Sequence, residues 1–200
     1  MVEAEGASRS LFTQGYKYMF AVLSTSEYYL APVLDIIAQR AKAGWKSPSE
    51  LRIGMAFEND GFSLDVRAGV LDVAKKYNMK IVIDDKLPAD LSDMSATLTK
   101  FKGLKPDILL ISGHSKGAAT AARQIEEMKI QAPVIAYTHC EAAKVHEKFP
   151  KSAVGVLCPT QWLDNLPKQD KYFGDAAKWN ADFKKVHPSY TEVPYQTAQA

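Results

Sequence analysis

Apolar runs of strand length alternate with segments of helical spacing along most of the sequence, and this alternation constrains the fold more strongly than any other feature. The apolar runs lie at residues 52–57, 80–84, 107–112, 133–137 and 153–158. Apolar residues at helical spacing occupy residues 29–43, 63–77, 93–101, 118–128, 141–148 and 171–186. Strands that alternate with helices form parallel sheets covered on both faces. The sequence therefore predicts an α/β fold with a parallel sheet of about five strands.

A doubly wound sheet of this size is expected to have the flavodoxin-like strand order. In that order the second strand lies outside the first, and the third, fourth and fifth strands follow on the other side. Ligands of such sheets bind beyond the carboxyl ends of the strands, where the order reverses between the first and third strands. We therefore expect the functional site at this edge.

Four predicted turns deliver aromatic and polar side chains to that edge. In chain order these are Glu58 and Phe62, His114 and Ser115, Thr138 and His139, and Gln161 and Trp162. Apolar rings combined with a few polar groups are typical of a small-molecule site. For each residue the alternative is a turn that caps a helix or packs a loop.

Residues 113–117, with the sequence GHSKG, match the G-x-S-x-G pattern in which a serine hydrolase presents its nucleophile. Asp164 and His187 would complete a triad in chain order, but a predicted helix fills the space between them. No HGGG-type segment precedes the pattern to supply a second oxyanion donor. A hydrolase that uses Ser115 is therefore an alternative, while the favoured expectation is a protein without catalytic residues.

The sequence contains no recognised pattern for a metal or a phosphate. The residues His139, Cys140, His146 and Cys158 lack the spacing of a zinc site, and the phosphate-binding loop pattern is absent. We therefore expect neither a metal nor a cofactor. The two cysteines permit one disulfide, although a free buried thiol near a predicted strand is the simpler expectation for each.

The composition indicates neither a nucleic-acid partner nor insertion into a membrane. The 200 residues carry a formal net charge of +2, with 46% hydrophobic and 24% charged residues. A nearly neutral chain has no general attraction to nucleic acids or anionic lipids. No apolar stretch approaches the length of a membrane-spanning helix. The first residues, MVEAEG, are not a secretory signal, so an exported protein would need a leader before this sequence.

Several segments, in order along the chain, resemble the second lobe of type I periplasmic solute-binding proteins, in the branched-chain amino acid receptor family of ABC transporters. The segments are LFTQGYKYMF at 11–20, ENDGFS at 58–63, D-x-S at 93–95 with KPD at 105–107, SGH at 112–114 with ARQ at 122–124, GVLCPTQW at 155–162 and PYQTA at 194–198. Their order and spacing, rather than any single motif, make the resemblance specific.

The resemblance implies a periplasmic receptor that captures a small polar, amino-acid-like or carboxylate solute between two lobes and delivers it to an ABC transporter permease. The family's site positions fall on residues already placed at the sheet edge. Phe62 would wall the solute, and the polar contacts and the mouth would come from His114, Ser115, Thr138, His139, Gln161 and Trp162, with Glu58 behind them. Amino-acid-binding members can carry a Glu after the fourth strand, where this sequence has Thr138 and His139. The ligand class is therefore left open among amino acids, amides and aromatic acids.

The resemblance also divides the chain into three parts. Residues 1–26 would cross the hinge from a first lobe, residues 27–190 would form the ligand-binding lobe, and residues 191–200 would cross back. Exposed aromatic residues are expected where the first lobe and the hinge would pack, at Tyr16, Tyr18, Phe20 and Tyr195. A second alternative function is the effector-binding domain of a regulator or receptor with the same fold.

Overall fold

A parallel sheet of four strands forms the centre of the structure, which is a computed structural model that describes residues 1–3, 6–42, 44–141 and 143–190. Numbered along the described residues, the strands are β1 (Val2–Glu3), β2 (Phe20–Ala21), β3 (Arg52–Glu58), β4 (Lys80–Leu87), β5 (Ile108–Ser112), β6 (Val134–Tyr137), β7 (Gln169–Asp170) and β8 (Gly174–Asp175). The α-helices are α1 (Ala31–Lys42), α2 (Gly61–Lys76), α3 (Ser95–Leu104), α4 (Ser115–Glu127), α5 (Ala143–Lys148), α6 (Pro150–Ala153) and α7 (Ala176–Val186). Short 3₁₀ turns lie at Arg9–Thr13, Ser26–Tyr28 and Pro48–Glu50.

The central strands pair in the order β4-β3-β5-β6, and all three pairings are parallel. Strands β3 and β5 run in register from Ile53 opposite Ile108 to Phe57 opposite Ser112. The strand order reverses between these two strands, at the predicted switch point. The flavodoxin-like, doubly wound α/β fold is therefore confirmed.

The predicted fifth strand at residues 153–158 is present only as a single parallel bridge between Ala136 and Leu157. Two features shorten it. Residues 150–153 belong to α6, and Gly155 has a φ of +81°, which lies outside the extended region. The segment still runs alongside β6, so it occupies the predicted position without forming a continuous ladder.

Apolar residues fill both faces of the sheet, as expected for parallel strands covered by helices. On one face Met55 and Phe57 of β3 belong to a cluster with residues of α1 and α2. On the other face Ala56 belongs to a cluster with Leu98 of α3 and Ala121 of α4. Consecutive β3 residues thus serve opposite layers. Within the described residues, none of the helices combines enough length and apolarity to span a membrane.

The starts of two helices lie farthest from their predicted positions. Helix α4 begins at Ser115 rather than at residue 118, and α7 begins at Ala176 rather than at residue 171. Strands β7 and β8 form an antiparallel hairpin just before α7, and strands of two residues leave no periodic pattern in a sequence. Asp175 then caps α7, because its carboxylate accepts a hydrogen bond from the N–H of Lys178 at 2.7 Å.

The N-terminal segment lies against α2. The Ser8 hydroxyl donates to Asp65 at 2.9 Å, and the N–H of Ser26 donates to the carbonyl of Ala7 at 2.8 Å. Farther along this segment, Tyr16, Tyr18 and Phe20 are exposed, as predicted, and β2 pairs only with β1 among the described residues. The predicted return crossing at 191–200, with Tyr195, lies outside the described residues.

A disulfide joins Cys140 and Cys158, whose Cα atoms are 5.6 Å apart. The expectation of free thiols is wrong. Cys140 follows β6 and Cys158 follows Leu157, so the bridge between Ala136 and Leu157 brings the two cysteines to neighbouring positions. The disulfide therefore ties the loop after β6, which carries two predicted site residues, to the segment that leads to Gln161.

We expect the substitution Gly69→Ala to lower the free energy of unfolding by about 3 kcal/mol. A methyl group at this position of α2 would lie 1.9 Å from the carbonyl oxygen of Glu27, in the 3₁₀ turn packed against the helix. Urea unfolding of the two proteins measures the change.

Gly103→Ala is the matched control, because no atom lies within 4 Å of a methyl group built there on α3. Its free energy of unfolding should change by less than about 1 kcal/mol. Equal stabilities of the two variants would contradict the close packing of α2 on the turn.

Candidate functional site

Three aromatic rings meet at the carboxyl ends of β3, β5 and β6. The ring of Phe62 lies 5.4 Å from that of His114 and 5.6 Å from that of His139, and the two histidine rings are 5.5 Å apart, all between centroids. Tyr29 packs edge-on against Phe62 at 5.2 Å. The structure therefore brings together three of the predicted site residues, which we call the ring cluster (Phe62, His114 and His139).

Hydrogen bonds at the start of α2 set the position of Phe62. Asp60 caps this helix, since its Oδ1 accepts a hydrogen bond from the N–H of Ser63 at 2.7 Å. The Ser112 hydroxyl, at the end of β5, donates to the Ser63 hydroxyl at 3.1 Å, and both residues are buried. The first turn of α2 is thereby tied to the neighbouring strand, and Phe62 lies within that turn.

Gly113 links the turn after β5 to the turn after β6. The Thr138 hydroxyl donates to the carbonyl of Gly113 at 2.7 Å and accepts from its N–H at 3.1 Å. His139 Nδ1 lies 2.8 Å from the same carbonyl. Because a carbonyl oxygen only accepts, Nδ1 carries the proton in this contact and Nε2 is left as an acceptor in the neutral ring.

The environment favours that neutral form of His139. Burial is the main cause that lowers the pKa of this imidazole, and the neighbouring His114 ring lowers it further. His139 also has a φ of +59°, a conformation that residues other than glycine seldom adopt. This strained backbone conformation directs the ring toward Gly113, Phe62 and His114.

The two glycines of GHSKG make room for a buried acid. Glu58, the last residue of β3, is 1% exposed. A methyl group built on Gly113 would lie 2.6 Å from Glu58 Oε1, and one built on Gly117 would lie 2.8 Å from the same atom. The side chain of Leu91 packs against the same two glycines. The spacing of the motif therefore reflects close packing around Glu58 and Leu91.

Glu58 shares this buried position with a second carboxyl group. Burial, followed by the neighbouring carboxyl group of Asp60, raises the pKa of Glu58 to about 8. His114 lies over the pair, with its Nε2 3.3 Å from Asp60 Oδ2 and 4.0 Å from Glu58 Oε2. More than half of the His114 side chain is exposed.

Ser115 is the exposed first residue of α4, and its predicted triad partners have other contacts. Asp164 accepts a hydrogen bond from the Asn180 side chain at 3.4 Å. The His187 ring packs 4.8 Å from that of Phe183, at the end of α7. Neither residue is joined to Ser115 or to the other by a hydrogen bond within the described part of the chain. The structure therefore offers no assembled triad.

Gln161 and Trp162 occupy a separate part of the predicted edge. The Gln161 side chain accepts from the N–H of Ser24 at 2.9 Å and donates to its carbonyl at 3.4 Å, so it joins the N-terminal segment to the segment after the disulfide. Trp162 packs edge-on against Trp179 of α7, 6.2 Å between centroids. Gln161 and Trp162 therefore contact the N-terminal segment and α7, and neither of these contacts involves the ring cluster.

Sequence reasoning missed Asp60 and Tyr29. Asp60 could have been found from the pattern of an acid three residues before Ser63 at a helix start, which is typical of an N-cap. Tyr29 precedes α1 and reaches Phe62 only because α1 packs on α2. No sequence pattern links two such residues.

The chain matches known proteins along almost all of its length. A family model described as periplasmic binding protein covers residues 6–200. A Leu/Ile/Val-binding protein homolog 8 from Brucella abortus is 21% identical over 115 residues, which are 57% of this chain and 28% of that protein.

Solved structures share the fold. A leucine-binding protein from Thermotoga maritima has a TM-score of 0.79 at 16% identity, over 100% of this chain and 53% of its own. An ABC transporter solute-binding protein from Rhodopseudomonas palustris, in complex with 3,4-dihydroxybenzoic acid, has a TM-score of 0.73 at 15% identity, over 99% and 51% of the two chains. This chain thus spans about half the length of these structures and less of the curated relative.

Because no described residue is placed as a base for Ser115, we expect a fluorophosphonate probe to leave it unlabelled. Mass spectrometry of the treated chain measures the label, with an authentic serine hydrolase as the positive control. A stoichiometric adduct on Ser115 that Ser115→Ala abolishes would restore the hydrolase interpretation.

Proposed function

The chain belongs to the periplasmic binding protein family, and we propose that it forms one lobe of a two-lobed solute receptor of an ABC transporter. The ring cluster at the switch point is the observation on which this proposal chiefly depends, because it offers apolar faces and ring nitrogens at one edge of a rigid sheet. The similar proteins described above are amino-acid- or solute-binding proteins, which favours a transport receptor over the effector domain of a regulator.

The proposed solute is small and polar, either amino-acid-like or an aromatic carboxylate. Phe62 supplies a flat apolar wall, and His114 and Ser115 supply hydrogen bonds from the start of α4. His139 offers its Nε2 to the polar end of the solute, since Nδ1 is occupied by Gly113. Thr138 acts through Gly113, because its buried hydroxyl is already engaged with that backbone. Glu58 supports the same turn from behind.

Closure of two lobes would bury the solute and present the closed shape to a permease. The exposed aromatics Tyr16, Tyr18 and Phe20 lie on the segment that we assign to the hinge. Gln161 holds this segment at Ser24. The pair of Gln161 and Ser24 therefore belongs to the hinge side of the lobe, with Trp162 next to it near the mouth of the cleft.

We assign the receptor to the periplasm. The disulfide between Cys140 and Cys158 agrees with an oxidising compartment outside the cytoplasm. Delivery of the solute to a permease in the membrane would follow from that location and from the family.

The isolated chain is expected to bind solutes at most weakly, because only one wall of the cleft is present and contacts from both lobes stabilise the closed state. Calorimetry with leucine, isoleucine, valine and 3,4-dihydroxybenzoate measures this, alongside the same titrations of a two-lobed protein that contains this lobe. A submicromolar dissociation constant for the chain alone would contradict the division of the site between two lobes.

In the two-lobed protein, Phe62→Ala is expected to weaken binding of whichever of these probes binds by at least about tenfold. Loss of the contact between the aromatic ring and the solute costs on the order of 1.4 kcal/mol, which corresponds to a tenfold change in the dissociation constant. Tyr172→Ala removes an exposed ring far along the chain and should leave the dissociation constant unchanged. Equal effects of the two substitutions would show that Phe62 is not part of the solute site.

A further inference from the structure

Two carboxyl groups and one imidazole meet beside the ring cluster: the side chains of Glu58, Asp60 and His114. His114 Nε2 lies 3.3 Å from Asp60 Oδ2 and 4.0 Å from Glu58 Oε2. One ligand atom from each residue lies within 4.8 Å of the other two. We call this group the Glu58–Asp60–His114 trio.

In each carboxyl group of the trio, one oxygen contacts the surrounding backbone and the other has no hydrogen-bond partner among the described residues. Glu58 Oε1 rests against Gly113 and Gly117, and Asp60 Oδ1 accepts the N–H of Ser63. The remaining atoms, Glu58 Oε2 and Asp60 Oδ2, are buried without a hydrogen-bond partner among the described residues. These two unpartnered oxygens face His114.

Burying two such oxygens is costly unless a positive group or a donor satisfies them. Within the described ranges, no lysine or arginine forms an ion pair with Glu58 or Asp60. The nearby Lys116 lies 3.7 Å from Asp90 instead. The fold therefore encloses two carboxyl groups and places the imidazole of His114 beside them.

The ligand set and the distances suit a small transition-metal ion. One imidazole nitrogen and two carboxylate oxygens match zinc or a similar first-row ion better than calcium or magnesium, which prefer oxygen ligands alone. Tetrahedral zinc with bonds of about 2.0 Å places its ligand atoms about 3.3 Å apart, which is the spacing between His114 and Asp60. His114 is more than half exposed, and a small rotation of its ring would shorten the 4.0 Å distance to Glu58 Oε2.

We propose that Glu58, Asp60 and His114 form a binding site for one divalent transition-metal ion, with zinc the best-matched ion. Three protein ligands leave a fourth coordination position for water or for an oxygen of a solute. The exposed side of His114 and its contact with Phe62 place that position next to the ring cluster. The proposal goes beyond solute transport, because the metal would bind this chain whether or not a solute is present.

The test is a zinc titration of the 200-residue chain after removal of metals with a chelator. Reductant is left out, because the disulfide keeps Cys140 and Cys158 from acting as thiolate ligands beside Glu141. Calorimetry and thermal unfolding are expected to show one zinc ion per chain, with a dissociation constant on the order of micromolar or tighter and a raised melting temperature. Calcium and magnesium at the same concentrations should give neither signal.

Asp60→Asn, His114→Gln and Glu58→Gln are each expected to weaken zinc binding by at least about tenfold. The matched controls are Glu127→Gln and His187→Gln, which change the same residue types away from the trio and should leave the affinity unchanged. Circular dichroism without metal checks that each variant folds. His114→Gln changes an exposed side chain, so it provides the test even if Glu58→Gln does not fold.

Two results would overturn the proposal. Absence of zinc binding by the folded chain would mean that a proton shared by Glu58 and Asp60 satisfies the two oxygens without a metal. Binding that His187→Gln weakens and His114→Gln does not would place the ion elsewhere on the surface. Neither result bears on solute binding, which the two-lobed protein tests separately.

Discussion

The parallel pairing of β3 with β5 is the constraint on which the rest of the structure depends. Both strands are covered on both faces, so their backbone N–H and C=O groups can be satisfied only by neighbouring strands. The register between them runs from Ile53 opposite Ile108 to Phe57 opposite Ser112. Glu58 and Gly113, which follow that last pair, must then lie side by side, and the site is built around that contact.

The turn GHSKG shows how packing produces a pattern that resembles a catalytic motif. In a hydrolase the glycines of G-x-S-x-G allow a sharp turn around a nucleophile. Here they leave space for the carboxyl group of Glu58 and for Leu91, while Ser115 is exposed at the start of α4. The same glycine spacing therefore accommodates a buried acid here and a nucleophile in a hydrolase. Only the contacts of Gly113 and Gly117 distinguish these two uses of the motif.

Much of the fold could be predicted from the sequence, because buried strands and amphipathic helices have strong periodic patterns. The positions of β3 to β6, the strand order and the edge that holds Phe62, His114 and His139 were all predicted correctly. The fifth strand and the start of α7 were not, since a positive φ at Gly155 and a hairpin of two-residue strands leave no such pattern. The disulfide was missed because it depends on the single bridge between Ala136 and Leu157.

The sequence by itself determined the layers of the fold and which residues follow each strand, because both depend on local order along the chain. Only the tertiary structure decided which of those residues work together. It brought Glu58 and Asp60 together beside His114, bound the Thr138 hydroxyl to the backbone of Gly113, and placed Gln161 on the N-terminal segment. Such contacts form between segments far apart in sequence, where hydrogen-bond geometry and burial, rather than periodicity, decide which groups meet.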